Sequence, residues 1–126
     1  MSFEQRRKFD YYFLEALRLN EKGELDAAFD MYSHCLEIDS QSAAVQYELA
    51  QFYMFLGQTQ KGESLLRKAV SLEPDNYWYK QTLASHYRKR GENKQAVGVI
   101  EDIVDRFPSR LEPLMELVDL LAELVS

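Results

Sequence analysis

Three glycines stand 34 residues apart, and this period constrains the fold more than any other feature of the chain. They are Gly23, Gly57 and Gly91. Their neighbours keep the same period, with Leu19, Tyr53 and Tyr87 four positions before the glycines and Ala28, Gly62 and Ala96 five positions after them. A period of about 34 with small, aromatic and leucine positions in phase is typical of a stacked helical repeat. The sequence therefore predicts an all-α fold, a helical-repeat solenoid of stacked antiparallel helix pairs without strands.

Each period divides into two amphipathic segments, which predicts a pair of helices per repeat. We expect the first helices at roughly 7–22, 43–56 and 77–90, and the second helices at 25–38, 59–72 and 93–106. A glycine follows each first helix, where a left-handed C-cap requires it. Gly62 replaces the alanine of the other repeats and is expected to let two helix backbones approach closely.

No linker or low-complexity stretch interrupts the periodic pattern, so we expect a single domain over residues 1–126. Its repeats lie at about 9–42, 43–76 and 77–110, and a single partial-repeat helix occupies 111–126. One period thus sets the three repeats, and the last helix is left without a second helix of its own repeat.

Composition and charge narrow the classes of function. The net charge is −6, whereas a nucleic-acid binder normally carries a basic surplus, so we expect no nucleic-acid partner. No apolar run approaches the roughly 18 residues of a membrane span. The first residues lack the apolar segment of a signal peptide. The compartment stays open: a complete chain would be cytoplasmic, and a chain that had lost a leader would be exported.

The sequence gives no support for catalysis, a metal or a cofactor. Ser33, His34 and Cys35 are consecutive, so on a helix their side chains fan apart by roughly 100° each and form no relay. Cys35 is the single cysteine, which excludes a disulfide and leaves no zinc-ligand spacing. We expect it to be a buried, unreactive thiol, and the chain to be no enzyme.

The chain resembles the tetratricopeptide repeat family over nearly its whole length, as about three and a half repeats. The second unit carries the resemblance most fully, at Leu49, Ala50, Tyr53, Gly57, Leu66, Ala69 and Pro74. Glu15, Ser40 and Val118 depart from the usual residues. The opening segment, residues 7–16, also resembles the start of the repeat region in longer bacterial multi-repeat proteins, some of them exported.

The resemblance implies a right-handed superhelix whose first helices line a concave groove that binds a peptide or protein. Helical phase places nine candidate groove residues on these helices: Phe13, Leu17, Tyr47, Gln51, Met54, Phe55, Trp78, Gln81 and Arg88. Clustered exposed aromatic side chains more often mark an interaction site than a packing role. The alternative is that Phe13, Tyr47 and Phe55 only pack against neighbouring helices, and that Arg88 only complements the helix dipole.

Chaperone cofactors of this family hold a partner's C-terminal carboxylate with a cluster of Lys, Asn and Arg in the groove. The corresponding positions here are Phe13, Leu17, Glu48, Trp78 and Thr82. Since these residues offer no cation and Glu48 repels a carboxylate, a chaperone-tail receptor is not expected.

The last helix raises a second function, a structural segment that self-associates through its ends or continues into a longer array. A terminal helix of a repeat array normally presents a polar outer face. This one carries a wide apolar stripe, and we assign self-association to Leu117, Leu121, Leu124 and Val125. Such a stripe predicts a homodimer through the C-terminal helix, unless it folds back onto Ile100, Ile103 and Val104.

Overall fold

The computed structural model describes residues 1–126 and contains seven α-helices and no strand. In chain order they are α1 (Phe3–Glu21), α2 (Leu25–Ile38), α3 (Ala43–Phe55), α4 (Thr59–Leu72), α5 (Tyr77–Lys89), α6 (Asn93–Arg106) and α7 (Leu111–Val125). The predicted all-α helical-repeat solenoid is confirmed. The bounds of the three second helices agree with those predicted from the period.

The helices fall into two compact units, which are described separately. Unit 1 is Met1–Leu72 and holds α1 to α4, whereas unit 2 is Glu73–Ser126 and holds α5 to α7. In unit 1, α1 packs on α2, α2 on α3, and α3 on α4. In unit 2, α6 packs on both α5 and α7. A single domain over 1–126 stays a prediction.

The repeated glycines end the first helices as expected. Gly23, Gly57 and Gly91 have φ of 81°, 81° and 74°, the left-handed region in which a side chain is strained. The start of α1 differs from the prediction, because the helix begins at Phe3 rather than near residue 7. Ser2 and Gln5 form a capping box that satisfies free backbone N–H groups one turn earlier.

Gly62 marks a close approach of α4 to α3 in unit 1. A Cβ at this position would lie 2.6 Å from Met54 Cγ and 2.9 Å from the Ala50 carbonyl oxygen. Because no side chain fits there, α4 can lie directly on the backbone of α3. The close approach predicted from the sequence is confirmed.

Each unit has its own core of small and large apolar side chains. In unit 1, Tyr32, Cys35 and Val45 are completely buried; in unit 2, Ile100, Ile103 and Leu120 are. The Cys35 thiol points to the Phe9 carbonyl oxygen at 3.8 Å, and burial raises the pKa of Cys35 to about 11. The predicted buried thiol is confirmed. No helix has the length and apolar character needed to cross a membrane.

A chain of ion pairs holds α5 to α6 in unit 2. Lys80 is buried and pairs with Asp102, whose other carboxylate oxygen lies 3.2 Å from Arg106 Nε. Arg106 also reaches Asp75 at 2.5 Å. Hydrogen bonding from Lys80, then from Arg106, lowers the pKa of Asp102. These four charged side chains therefore pair with one another within unit 2 and contribute to its packing.

Candidate functional site

Two of the candidate groove residues, Phe13 and Leu17, lie on α1, and both are partly buried. Phe13 is half-buried, packs against the core cluster, and has its ring centroid 6.0 Å from that of Phe9. Leu17 is also half-buried. The N-terminal first helix therefore presents partly covered apolar surface rather than free side chains.

The candidate groove residues on α3 differ in how much of each side chain is exposed. Met54 lies over Gly62 of α4 and is half-buried. Tyr47 is half-buried, and its hydroxyl accepts a hydrogen bond of 3.1 Å from Gln51 Nε2. Phe55, at the end of the helix, is 76% exposed. Of the unit 1 candidates, Phe55 therefore offers the largest apolar side chain for a partner.

In unit 2, Trp78 is the open candidate, with 65% of the residue exposed. Its indole meets the Tyr77 ring edge-on at 5.0 Å. The Arg110 guanidinium lies 4.0 Å from the Tyr77 ring centroid and 5.9 Å from that of Trp78, within the range of cation–π contact. Gln81 donates to the Tyr77 hydroxyl at 3.0 Å. The period did not single out Arg110, because it lies in the turn between α6 and α7.

Arg88 is engaged within unit 2. Its guanidinium lies 3.2 Å from Glu116 Oε1 and 3.5 Å from Glu123 Oε1, both on α7. The side chain is about one-third exposed. These two ion pairs tie α5 to the last helix, which gives Arg88 a packing role in addition to the groove role predicted for it.

A carboxylate on α3 stands out because it lacks a partner. Glu48 is half-buried, and burial alone raises its pKa, with no cation acting against that effect. It interacts electrostatically with Tyr32, whose hydroxyl is buried and makes no hydrogen bond. The Asn20 amide approaches that hydroxyl and favours its ionised form, without hydrogen-bond geometry. The dominant effect on Tyr32 is burial, which raises its pKa to about 12.

The last helix divides its apolar side chains between two sides. Pro113 and Leu120 are buried, and Leu117 is half-buried, as α7 packs on α6. The helix thus does fold back onto the third repeat, where Ile100 and Ile103 are buried. The other side stays open, with 44 to 87% exposure at Leu111, Leu114, Val118, Leu121 and Val125.

This open side, which we term the α7 seam, has a regular spacing. Leu111, Leu114, Val118, Leu121 and Val125 follow one another at intervals of three, four, three and four residues. That is the spacing of the a and d positions through which helices pair in coiled coils. Of the residues predicted for self-association, Leu121 and Val125 lie on the seam, Leu124 is exposed beside it, and Leu117 lies toward α6.

The consecutive residues Ser33, His34 and Cys35 do not converge. The His34 ring stacks on Tyr12 at 4.8 Å and its Nδ1 lies 3.5 Å from Glu37, whereas Cys35 faces the Phe9 carbonyl group. No group of three or more His, Cys, Asp and Glu side chains is arranged to hold a metal ion. The polar residues of this helix therefore have identifiable packing partners.

Comparison with known proteins gives one family and several related folds. Residues 19–69 match the model of the family described as Tetratricopeptide repeat. No curated protein matches the sequence of the chain. The matched segment runs from the end of α1 through α4, and the same helix pairing continues in α5 and α6.

Similar solved structures share the arrangement of helices. The first tetratricopeptide domain of Spaghetti (RPAP3), bound to the HSP90 peptide SRMEEVD, is 19% identical over 95% of this chain and 98% of that one, with a TM-score of 0.75. Pseudomonas aeruginosa pilF is 17% identical over 96% of this chain and 55% of that one, with a TM-score of 0.76. At these identities the likeness shows the fold.

A third similar structure is an enzyme. A mutant of the Thermobaculum terrenum O-GlcNAc transferase is 17% identical over 96% of this chain, which spans 23% of that protein, with a TM-score of 0.75. Tetratricopeptide repeats generally mediate protein–protein interactions, and the family is generally a non-catalytic scaffold. A repeat region of this kind can therefore also form part of a longer catalytic protein.

Proposed function

The chain belongs to the tetratricopeptide repeat family, and we propose that it is a non-catalytic scaffold that binds a protein or peptide along its first helices. The observation that carries this proposal is an exposed aromatic side chain on a first helix of each unit, Phe55 on α3 of unit 1 and Trp78 on α5 of unit 2. Large apolar side chains left in water on one type of helix support an interaction surface. Aromatic residues are also enriched among the residues that dominate binding energy.

The chemistry of these helices favours an apolar ligand. Phe13, Leu17 and Tyr47 are half-buried and add partly covered apolar area beside the exposed Phe55. Gln51 is exposed and supplies a polar group that can orient a peptide backbone. An amphipathic helix or an extended peptide with apolar anchors fits this combination.

An acidic ligand is disfavoured. The peptide bound to the Spaghetti domain, SRMEEVD, ends in three acidic residues among its last four. Phe13, Leu17 and Glu48 occupy positions where the resemblance implies cations or amides in a carboxylate-binding groove. We therefore expect this chain not to bind that peptide, although the two proteins share a fold.

The proposal is tested by selecting ligands and then removing the anchors. Twelve-residue random peptides displayed on phage are selected on the immobilised 126-residue chain, and an enriched peptide is synthesised. Since an aromatic anchor contributes roughly 2 kcal/mol, Phe55→Ala should weaken a peptide that binds unit 1 about thirtyfold in fluorescence anisotropy. Trp78→Ala should weaken a peptide that binds unit 2 by the same factor. Tyr11→Ala is the matched control, because Tyr11 is 62% exposed on α1 and outside the candidate groove.

Two results would contradict the proposal. One is a selection from which no peptide emerges. The other is an enriched peptide whose affinity is unchanged by both Phe55→Ala and Trp78→Ala. A loss of affinity in Tyr11→Ala as large as in these variants would place the ligand on the opposite side of α1.

The exposed α7 seam favours a second function, self-association with another copy of the chain. No charged residue lies on the seam, and two of the four acids of α7, Glu116 and Glu123, are engaged by Arg88. Two copies of the seam therefore meet without opposing like charges. A two-fold pair gives both copies the same contact and leaves no open end.

The expected affinity of such a dimer is modest. Burying a fully exposed large aliphatic side chain contributes about 1.5–3 kcal/mol, so five side chains that are roughly half-exposed contribute on the order of 5 kcal/mol per copy. Two copies double this figure, and association itself costs at least about 4 kcal/mol. The balance corresponds to a dissociation constant between about 1 μM and 1 mM.

A further inference from the structure

An unpaired carboxylate beside an apolar surface indicates which ligands the first repeats accept. Glu48 lies one position after Tyr47 on α3 and one turn before Phe52, which is buried. It is half-buried and receives no hydrogen bond or ion pair from the chain. Placing a charge partly out of water without a counter-charge costs free energy. A partly buried charge without a partner in the chain is therefore a candidate for a binding site.

Four of the eight lysines and arginines of unit 1 have identified contacts, and none of these contacts is with Glu48. Arg18 pairs with Glu15, and Lys61 lies over the Tyr53 ring at 4.8 Å. Arg6 and Arg7 lie over the rings of Phe9 and Phe3, each at 5.9 Å. No cation appears among the influences on Glu48, where desolvation acts alone. The chain itself therefore does not neutralise this carboxylate.

A second unsatisfied group lies within electrostatic range of Glu48. The Tyr32 side chain is completely buried, and its hydroxyl makes no hydrogen bond. Glu48 and Asn20 are the polar side chains that influence it. The neighbours of the Tyr32 hydroxyl therefore bring no cation to Glu48, and the carboxylate stays without a counter-charge within the chain.

We infer that unit 1 binds a peptide in which a lysine or arginine is set among apolar residues. Glu48 is the residue that pairs with this basic side chain. The inference rests on the proposed peptide-binding function and adds the ligand's charge to it. Charged hydrogen bonds between a carboxylate and an ammonium or guanidinium group are among the strongest in proteins. A metal ion is disfavoured as the counter-charge, because no group of three ligating side chains exists.

Apolar and charged side chains of unit 1 then have different roles in binding. The apolar surface of Phe13, Tyr47 and Phe55 holds the ligand, whereas Glu48 selects among apolar ligands by charge. A peptide with glutamate at the same place is rejected, since two carboxylates would meet in a partly desolvated site.

The test repeats the phage selection with three proteins of 126 residues: the wild-type chain, Glu48→Gln and Glu37→Gln. Glutamine keeps the shape of the side chain and removes only its charge. Glu37 is the control, because it lies on α2 with its side chain 74% exposed. We expect lysine or arginine at one fixed position of the wild-type and Glu37→Gln peptides. The Glu48→Gln peptides should keep the apolar positions and lose the basic one.

A double-mutant cycle then measures the contact itself. Replacing the basic residue of an enriched peptide by glutamine should lower its affinity for the wild-type chain about tenfold and for Glu48→Gln less than about twofold. Apolar peptides without a basic preference, or the same preference with Glu48→Gln, would overturn the inference and leave the binding function intact. A selection that yields no peptide would instead overturn the binding function on which the inference rests.

Discussion

The contact between α3 and α4 allows one substitution to be worked out in detail, Gly62→Ala. Replacing a glycine inside a helix by alanine is ordinarily stabilising, by about 1 kcal/mol. The corresponding positions of the other repeats already hold alanine, at Ala28 and Ala96. From helix propensity alone, Gly62→Ala would therefore be expected to stabilise unit 1.

The structure predicts the opposite effect, a loss of stability in Gly62→Ala. The added Cβ would lie 2.6 Å from Met54 Cγ and 2.9 Å from the Ala50 carbonyl oxygen. The Met54 side chain can turn aside, but the carbonyl oxygen belongs to the backbone of α3, so the two helices must move apart. Overpacking of this kind costs about 1–3 kcal/mol. After subtraction of the helix-propensity gain of about 1 kcal/mol, the free energy of unfolding should fall by about 1 kcal/mol, and by at most about 2 kcal/mol.

Gly98→Ala provides the matched control. Gly98 lies within α6 and is exposed, and a Cβ there would meet no atom within 4 Å. This variant should gain about 0.5–1 kcal/mol. With a urea dependence of 1–3 kcal/mol per molar, the two midpoints should differ by about 1 M.

Urea unfolding followed by circular dichroism measures both variants. The fluorescence of Trp78, the single tryptophan, follows unit 2 in the same titration. Equal stabilisation by the two substitutions would refute the close approach of α3 and α4. Ser64→Ala, an exposed change on α4 itself, controls for substitution in the same helix.

Two further predictions concern α7 and Cys35. Sedimentation equilibrium should show dimers at protein concentrations of hundreds of micromolar. The substitution Leu121→Glu, on the α7 seam, should abolish these dimers, whereas the control Glu112→Gln should not. A monomer at every concentration would show that the seam does not pair. The pKa of Cys35, raised to about 11 by burial, leaves roughly one thiol in a thousand ionised at pH 8, so a disulfide reagent should label it only after denaturation. Rapid labelling of the native chain would contradict its burial.

The period was sufficient to predict the repeated elements. The bounds of α2, α4 and α6 follow from the in-phase apolar positions, and the three positive φ angles follow from the glycines. The start of α1 was predicted too late, because Phe3 and the residues after it lack the repeat's pattern. Ser2 followed by Gln5 three positions later was the local signal that could have placed it.

Contacts between residues that are far apart in the sequence could not be predicted from the period. Arg88 and Glu116 are 28 positions apart, and their ion pair depends on how α7 packs, which no periodic pattern specifies. The stripe of α7 was seen in the sequence, but only packing on α6 decides that Leu117 turns inward while Leu111 stays open. The lack of a partner for Glu48 likewise depends on every surrounding side chain.

We propose above all that ligands bind along the first helices. The most direct test is a nuclear magnetic resonance titration of the ¹⁵N- and ¹³C-labelled chain with a peptide from the phage selection. We predict that chemical-shift changes concentrate at Phe13, Tyr47, Glu48 and Phe55 for a peptide that binds unit 1, and at Trp78 for a peptide that binds unit 2. Changes confined to α2, α4 and α6, or to the α7 seam, would contradict the claim.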